Sequence, residues 1–141
     1  MITTRGRYAL RVMVDLAERR AEGYIPMKEI ADRQGLSAKY MERIMPALTK
    51  CGLAEGSHGK GGGYRLKVSP DDCTVLDVLL AAGEEIAPVA CLEGGESGCA
   101  RAAECRTLSV WKDYYRLTLE YFRGITLSSL AQGNAADNYV I

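Results

Sequence analysis

Residues 91–105 read CLEGGESGCARAAEC and hold three of the chain's five cysteines, spaced C-x7-C-x5-C. Thiolates are soft donors that select zinc, copper(I) or iron–sulfur clusters. A structural zinc takes four protein ligands and favours close C-x2-C pairs, and the chain has no such pair. Gly94, Gly95 and Gly98 let this short segment wrap closely around a bound group. Cys105 sits where a helical pattern begins, and the dipole of a helix N-terminus favours a thiolate or an anionic cluster. Cys51 and Cys73 fall at helix-end positions and read as small buried hydrophobes. An odd cysteine count argues against a closed disulfide framework. The start, MITTRGRYAL, lacks the apolar core of a secretory signal, and no apolar run of about 18 residues follows to span a membrane. A cytoplasmic location is expected, where structural disulfides are rare.

A second set of residues suits a polyanion. The chain is neutral overall, but residues 1–67 carry 13 Lys+Arg against 7 Asp+Glu, a net +6, and residues 68–141 carry the opposite −6. In the basic half, Ser37, Lys39, Tyr40, Glu42 and Arg43 stand at the start of a helical stretch, SAKYMERIMPALTKCGL. Side chains of these types donate to phosphate and guanine or accept from cytosine. His58 and Lys60 lie in a glycine-rich turn with Arg65 behind it, placed to reach phosphates or a minor groove. The glycines do not make a P-loop, because G-x-x-x-x-G-K-[ST] is absent. His58 is the only histidine and has no Asp/Ser set around it, so no enzyme is expected.

These residues need elements to hold them. Ala9, Val12, Met13 and Leu16 repeat at helical spacing within residues 3–20. PMKEIADRQGL then reads as a short helix stopped at Gly35, and Ser37 as the N-cap of the next, whose buried stripe is Tyr40 or Met41, Ile44, Leu48 and Cys51. Two helices joined by Gln-Gly-Leu-Ser make a helix-turn-helix, which lays the N-terminal residues of its second helix in a major groove. Pro46 is expected to kink that helix beyond the DNA-facing residues. LAEGSHGKGGGYRLKV reads as a hairpin wing. Thr74 caps a helix through TVLDVLL, and the longest helical pattern runs from 104 to 123. There Leu108, Trp111, Tyr115, Thr118 and Phe122 are spaced like a coiled-coil seam and point to a second copy of the chain.

The expected fold is mainly α with a small β-wing. A winged helix-turn-helix covers 1–70, a connecting helix 71–90, the cysteine loop 91–105, a long C-terminal dimerisation helix 104–130 and a loose tail 131–141.

GRYALRVMVDLA, the SAKYMERIMPALTKCGL helix, the GKGGGYRL wing, the TVLDVL helix and the three-cysteine loop together resemble the IscR/NsrR-type regulators of the Rrf-two family over about residues 1–130. The resemblance implies a homodimer on double-stranded DNA with a palindromic operator. It also implies an iron–sulfur cluster on Cys91, Cys99 and Cys105, two-iron rather than four-iron, that senses iron–sulfur status, redox state or nitric oxide. Two departures stand out. The histidine that IscR-like members use three residues after the last cysteine is Leu108 here, and the N-terminal acid of NsrR-like members falls at Arg7. Glu93, Glu96, Glu104, a partner residue, solvent or a small thiol is left to complete the site. At the wing tip, where many members carry Arg, this chain has His58. The residues also admit two other readings: a cluster-free thiol switch that oxidises to a disulfide, and a regulator that docks on an enzyme.

Overall fold

Ala9, Val12, Met13 and Leu16 do share one face, and that face is the centre of the molecule. All four are buried on α1 (Thr4–Glu18), each large side chain contributing roughly 1.5–3 kcal/mol by leaving water. The computed structural model describes residues 1–94 and 98–131. The expected helix over 3–20 ends at Glu18, and Arg20–Glu22 forms a separate 3-10 turn. α2 (Met27–Gln34) stops at Gly35, which is left-handed at φ 66°. α3 (Ala38–Lys50) contributes Met41, Ile44, Met45 and Leu48 to the same core. The helix runs unbroken through Pro46, whose ring is exposed. Cys51 is exposed rather than buried, because it caps the C-terminus of α3 where the buried stripe has already ended. Cys73 is buried as expected.

β1 (Ala54–Ser57) and β2 (Gly63–Leu66) pair antiparallel, Ala54 opposite Leu66 and Ser57 opposite Gly63. Ile25 adds a bridge to Tyr64, with both N–H···O bonds at 2.8 Å. Gly63 is required there. Its φ is 146°, and a Cβ would lie 2.1 Å from the Ile25 carbonyl oxygen.

α4 (Val75–Ala81) begins with a capping box in which Thr74 and Asp77 satisfy each other's backbone amides. Val75, Leu76, Leu79 and Ile86 form a second, smaller core. The stretch expected as one dimerisation helix is two. α5 (Leu108–Arg123) ends at Gly124, and α6 (Leu127–Ala131) turns back so that Leu127 is buried in the first core. The return is fixed by Val75 N–H to the Ile125 carbonyl at 2.9 Å and Leu127 N–H to the Cys73 carbonyl at 2.9 Å. No helix among the described residues is long and apolar enough to cross a membrane.

Candidate nucleic-acid interface and cysteine site

The N-terminus of α3 is presented to solvent. Ser37, Lys39, Glu42 and Arg43 are exposed, and neither Lys39 nor Arg43 has a carboxylate partner among the described residues. Ser37 spends its hydroxyl as the helix cap, accepting from Tyr40 N–H at 3.1 Å. Tyr40 is half-buried and meets Tyr8 of α1 edge to face, with ring centroids 5.1 Å apart. The Arg7 and Arg11 guanidinium carbons lie 6.0 and 5.3 Å from the Tyr8 ring centre. Thr3, Thr4 and Arg5 of α1's first turn line a cleft of about 640 Å³ with Tyr40 and Arg43. Sequence reasoning placed α1 only in the core. Its basic first turns stand beside the N-terminus of α3, and the Arg5/Arg7/Arg11 run is the sequence signal for it.

An ion pair with a buried carboxylate and a solvent-facing arginine joins the helix-turn-helix to this wall. Asp15 of α1 is 2% exposed. Arg33 of α2 donates to both of its carboxylate oxygens, at 3.0 and 2.7 Å, and Gln34 donates at 2.8 Å. Burial pushes the Asp15 carboxyl up. The Arg33 and Gln34 hydrogen bonds, with the charges of Arg33 and Arg19, outweigh it and hold the group below the usual carboxylate range.

In the wing, His58 and Lys60 are exposed at the tip. His58 borders a cleft of about 550 Å³ between the wing, Pro26, Met27 and Thr49. Arg65 is committed within the chain. Its Nε meets Glu55 Oε1 at 2.7 Å across the strands, and its guanidinium lies 4.3 Å from the Tyr24 ring centre. It braces the wing's base, a role the sequence reading did not foresee.

The three loop cysteines are all free; Cys91 is half-buried in the turn Ala90–Leu92, and Cys99 and Cys105 are exposed. Cys105 lies three residues before α5, not on it, after a 3-10 turn at Ala102–Glu104. Its sulfur sits 3.5 Å from the Thr107 hydroxyl. That hydroxyl, with the Thr107 and Leu108 amides and the Arg101 charge, lowers the Cys105 thiol pKa. The donor chemistry suits an iron–sulfur cluster. Among the described residues, however, no three His, Cys, Asp or Glu side chains converge as a metal-holding group. Glu93 and Glu104 are exposed, while Gly95 and Glu96 lie outside the described residues.

The residues expected to form a dimer seam divide between two faces of α5. Tyr115 and Phe122, with Leu119, pack on the second core of their own chain, and Leu108 is half-buried. Val110, Tyr114, Leu117 and Tyr121 are more than half exposed, and Trp111, 38% exposed, stands at the border between the two faces, lining a cleft with Tyr114, Phe122 and Ile86. The expected stripe is displaced by one residue, because α4 claims the 115/119/122 face.

Residues 2–133 match the model of the Rrf2 family, described as an iron-dependent transcriptional regulator. The HTH-type transcriptional regulator IscR of Aliivibrio salmonicida is 36% identical over 133 residues, which is 94% of this chain and 78% of that protein. The structure is similar to that of CymR, the global cysteine regulator of B. subtilis, with a TM-score of 0.76 and 32% identity over 94% of this chain and 96% of that one. It is also similar to T. potens IscR, with a TM-score of 0.74 and 30% identity over 100% and 93%.

Proposed function

This chain belongs to the Rrf2 family of transcriptional regulators, and from that premise we propose that it is a homodimeric, sequence-specific repressor switched by an iron–sulfur cluster on Cys91, Cys99 and Cys105. DNA-binding regulation of transcription, not enzyme catalysis, is the activity its relatives carry. The cluster, the dimer, the palindromic operator and the cytoplasmic location are our reading. The observation that carries it is the run of three free thiols ending at Cys105, whose sulfur lies 3.5 Å from the Thr107 hydroxyl at the cap of α5.

When bound, the cluster supplies an iron- and redox-responsive link among the three loop positions, and we take it to be two-iron. The chain's own residues do the rest. Lys39, Tyr40, Glu42 and Arg43 face base edges, Ser37 fixes the helix start, and His58 and Lys60 lay the wing on the backbone. α5 offers Trp111, Val110, Tyr114, Leu117 and Tyr121 to the partner copy. None of α5's 16 residues is fully buried within one chain, which supports a covering partner. A switch requires that the cluster favour one arrangement of the dimer over the other, since equal affinity shifts nothing.

A cluster-free thiol switch is the second reading. It is favoured by the likeness to CymR, named a cysteine regulator, and by the exposure of Cys99 and Cys105. Anaerobic purification with iron and acid-labile sulfide analysis separates the two. Visible absorption with iron and sulfide bound, and operator affinity that changes on their removal, support the cluster. Metal-free protein whose DNA binding responds only to thiol oxidation supports the second reading and rules out the first.

A further inference from the structure

Glu84 follows α4 and points back across the molecule. Although a carboxylate, it is 7% exposed. Its Oε1 accepts from Thr3 N–H at 3.1 Å and Gly6 N–H at 2.9 Å, and also from the Thr3 hydroxyl. It therefore caps α1 from 78 residues away in sequence, in place of a local capping side chain, which α1 lacks. Position 6 is shaped for it. A Cβ on Gly6 would lie 2.4 Å from Glu84 Oε1, 2.6 Å from its Cγ and 2.8 Å from its Cδ. Beside it, Arg5 Nη2 donates to the Gly83 carbonyl at 3.4 Å. Burial pushes the Glu84 carboxyl up, but the Thr3 and Gly6 hydrogen bonds and the Arg5 charge hold it below its ordinary range.

This latch stands between two clefts. On one side Thr3, Thr4 and Arg5 face Tyr40 and Arg43 of the recognition helix. On the other, Thr3, Arg5 and Glu84 share a cleft with residues 87–90 and Glu93, the segment that carries Cys91. We propose that Glu84 is a positioning residue for DNA binding: seated against Gly6, it fixes the first turn of α1 beside the recognition helix and ties that turn to the segment leading into Cys91. The proposal rests on the DNA-regulator reading and deepens it. A displacement of 83–90 moves Thr3 and Arg5 with it, and those residues wall the cleft that Tyr40 and Arg43 face.

The test is a double-mutant cycle on full-length protein, using Glu84→Ala, Gly6→Ala and the pair, with Glu84→Gln as the conservative variant. Operator affinity is measured on cluster-free protein by fluorescence anisotropy beside a random duplex of equal length. Thermal unfolding is followed in parallel. Glu84→Ala and Gly6→Ala are each expected to weaken operator binding about tenfold. Random-duplex affinity should stay within about twofold, because non-specific binding rests on charge rather than helix placement. The pair should bind no worse than Glu84→Ala alone, since the methyl then meets no carboxylate. Glu84→Gln should recover part of the loss by keeping an acceptor oxygen. Additive losses, or operator affinity within about twofold of wild type in folded Glu84→Ala, overturn the proposal, as does a change confined to melting temperature. Wild-type protein that selects no operator sequence overturns the proposal together with the regulator reading. Wild-type protein that binds its operator but takes up no iron removes only the cluster, and the cycle still decides the role of Glu84.

Discussion

Asp15 and Cys105 show how single groups are set by their neighbours. The Asp15 carboxyl is held below its ordinary range in the folded state. A depressed carboxyl adds stability above the unfolded value of about 3.9, and that stability is lost as pH falls through the lower folded value. Asp15→Asn should therefore flatten the acid limb of the stability–pH curve. It should also cost about 1.5 kcal/mol near neutral pH by removing the charge-assisted hydrogen bonds from Arg33, as urea titrations at a series of pH values would show. An unchanged acid limb would contradict the assignment. Cys105 carries the reverse consequence for reactivity. Its thiolate is favoured first by the Thr107 hydroxyl, so Thr107→Val should slow alkylation of Cys105 at pH 7–8, read by mass spectrometry of the peptide. Cys73, whose thiol burial and Asp77 push up to about 11, should stay unmodified until the protein unfolds. Each of Cys91→Ala, Cys99→Ala and Cys105→Ala should give colourless or unstable protein after anaerobic purification, whereas Cys51→Ala keeps the colour. A coloured, stable Cys99→Ala protein would remove that thiol from the site.

At the level of elements, the proposed function gives the recognition helix and the wing different parts in binding DNA. Arg43 is exposed and has no ion-pair partner among the described residues, so Arg43→Ala should cost about 1–3 kcal/mol on the operator and relax its preference at one position. Lys60 at the wing tip should act on every sequence alike, and Lys60→Ala should reduce the salt slope by about 1. Anisotropy titrations across a salt series distinguish the two. Arg65 belongs to a different category, since Glu55 and Tyr24 already engage it. Its replacement should loosen the base of the wing and lower melting temperature before it changes the salt slope. An Arg65→Ala protein with wild-type stability and a reduced slope would return that residue to the phosphate contacts.

At the scale of the whole molecule, α5 has an inner and an outer face. Tyr115, Leu119 and Phe122 close the second core, so Phe122→Ala should destabilise the folded chain by about 2 kcal/mol. Tyr114 and Leu117 face outward, and Trp111 stands exposed at the border of the two faces. Trp111→Ala, alone or with Leu117→Ala, should dissociate the dimer at micromolar concentration and leave the chain folded, since a large central aromatic dominates such contacts. Sedimentation velocity with circular dichroism reads both. A Trp111→Ala/Leu117→Ala protein that stays dimeric would place the interface elsewhere. Loss of the dimer should abolish binding to a two-half-site operator, because two recognition helices are then no longer held one DNA turn apart.

Local chemistry wrote much of this protein into its sequence. The periodic apolar residues of α1 and α3, Gly35 after α2, the caps at Ser37 and Thr74 and the glycines of the wing each act within a few residues, so reading along the chain finds them. The charge difference between the halves is likewise a property of composition. Contacts between residues distant in the chain were decided only by the tertiary fold. Glu84 reads as one of two ordinary surface acids until α4 carries it against Gly6. That Arg65 stands opposite Glu55 is set by strand register and not by any spacing along the chain. Tyr115 and Trp111 fit one seam equally well by spacing, and the packing of α5 against α4 separates them. Periodicity reports that a helix has an apolar side, but which side a neighbour covers depends on where the chain returns, and that is settled by α6 and the bonds that pull it back to the core.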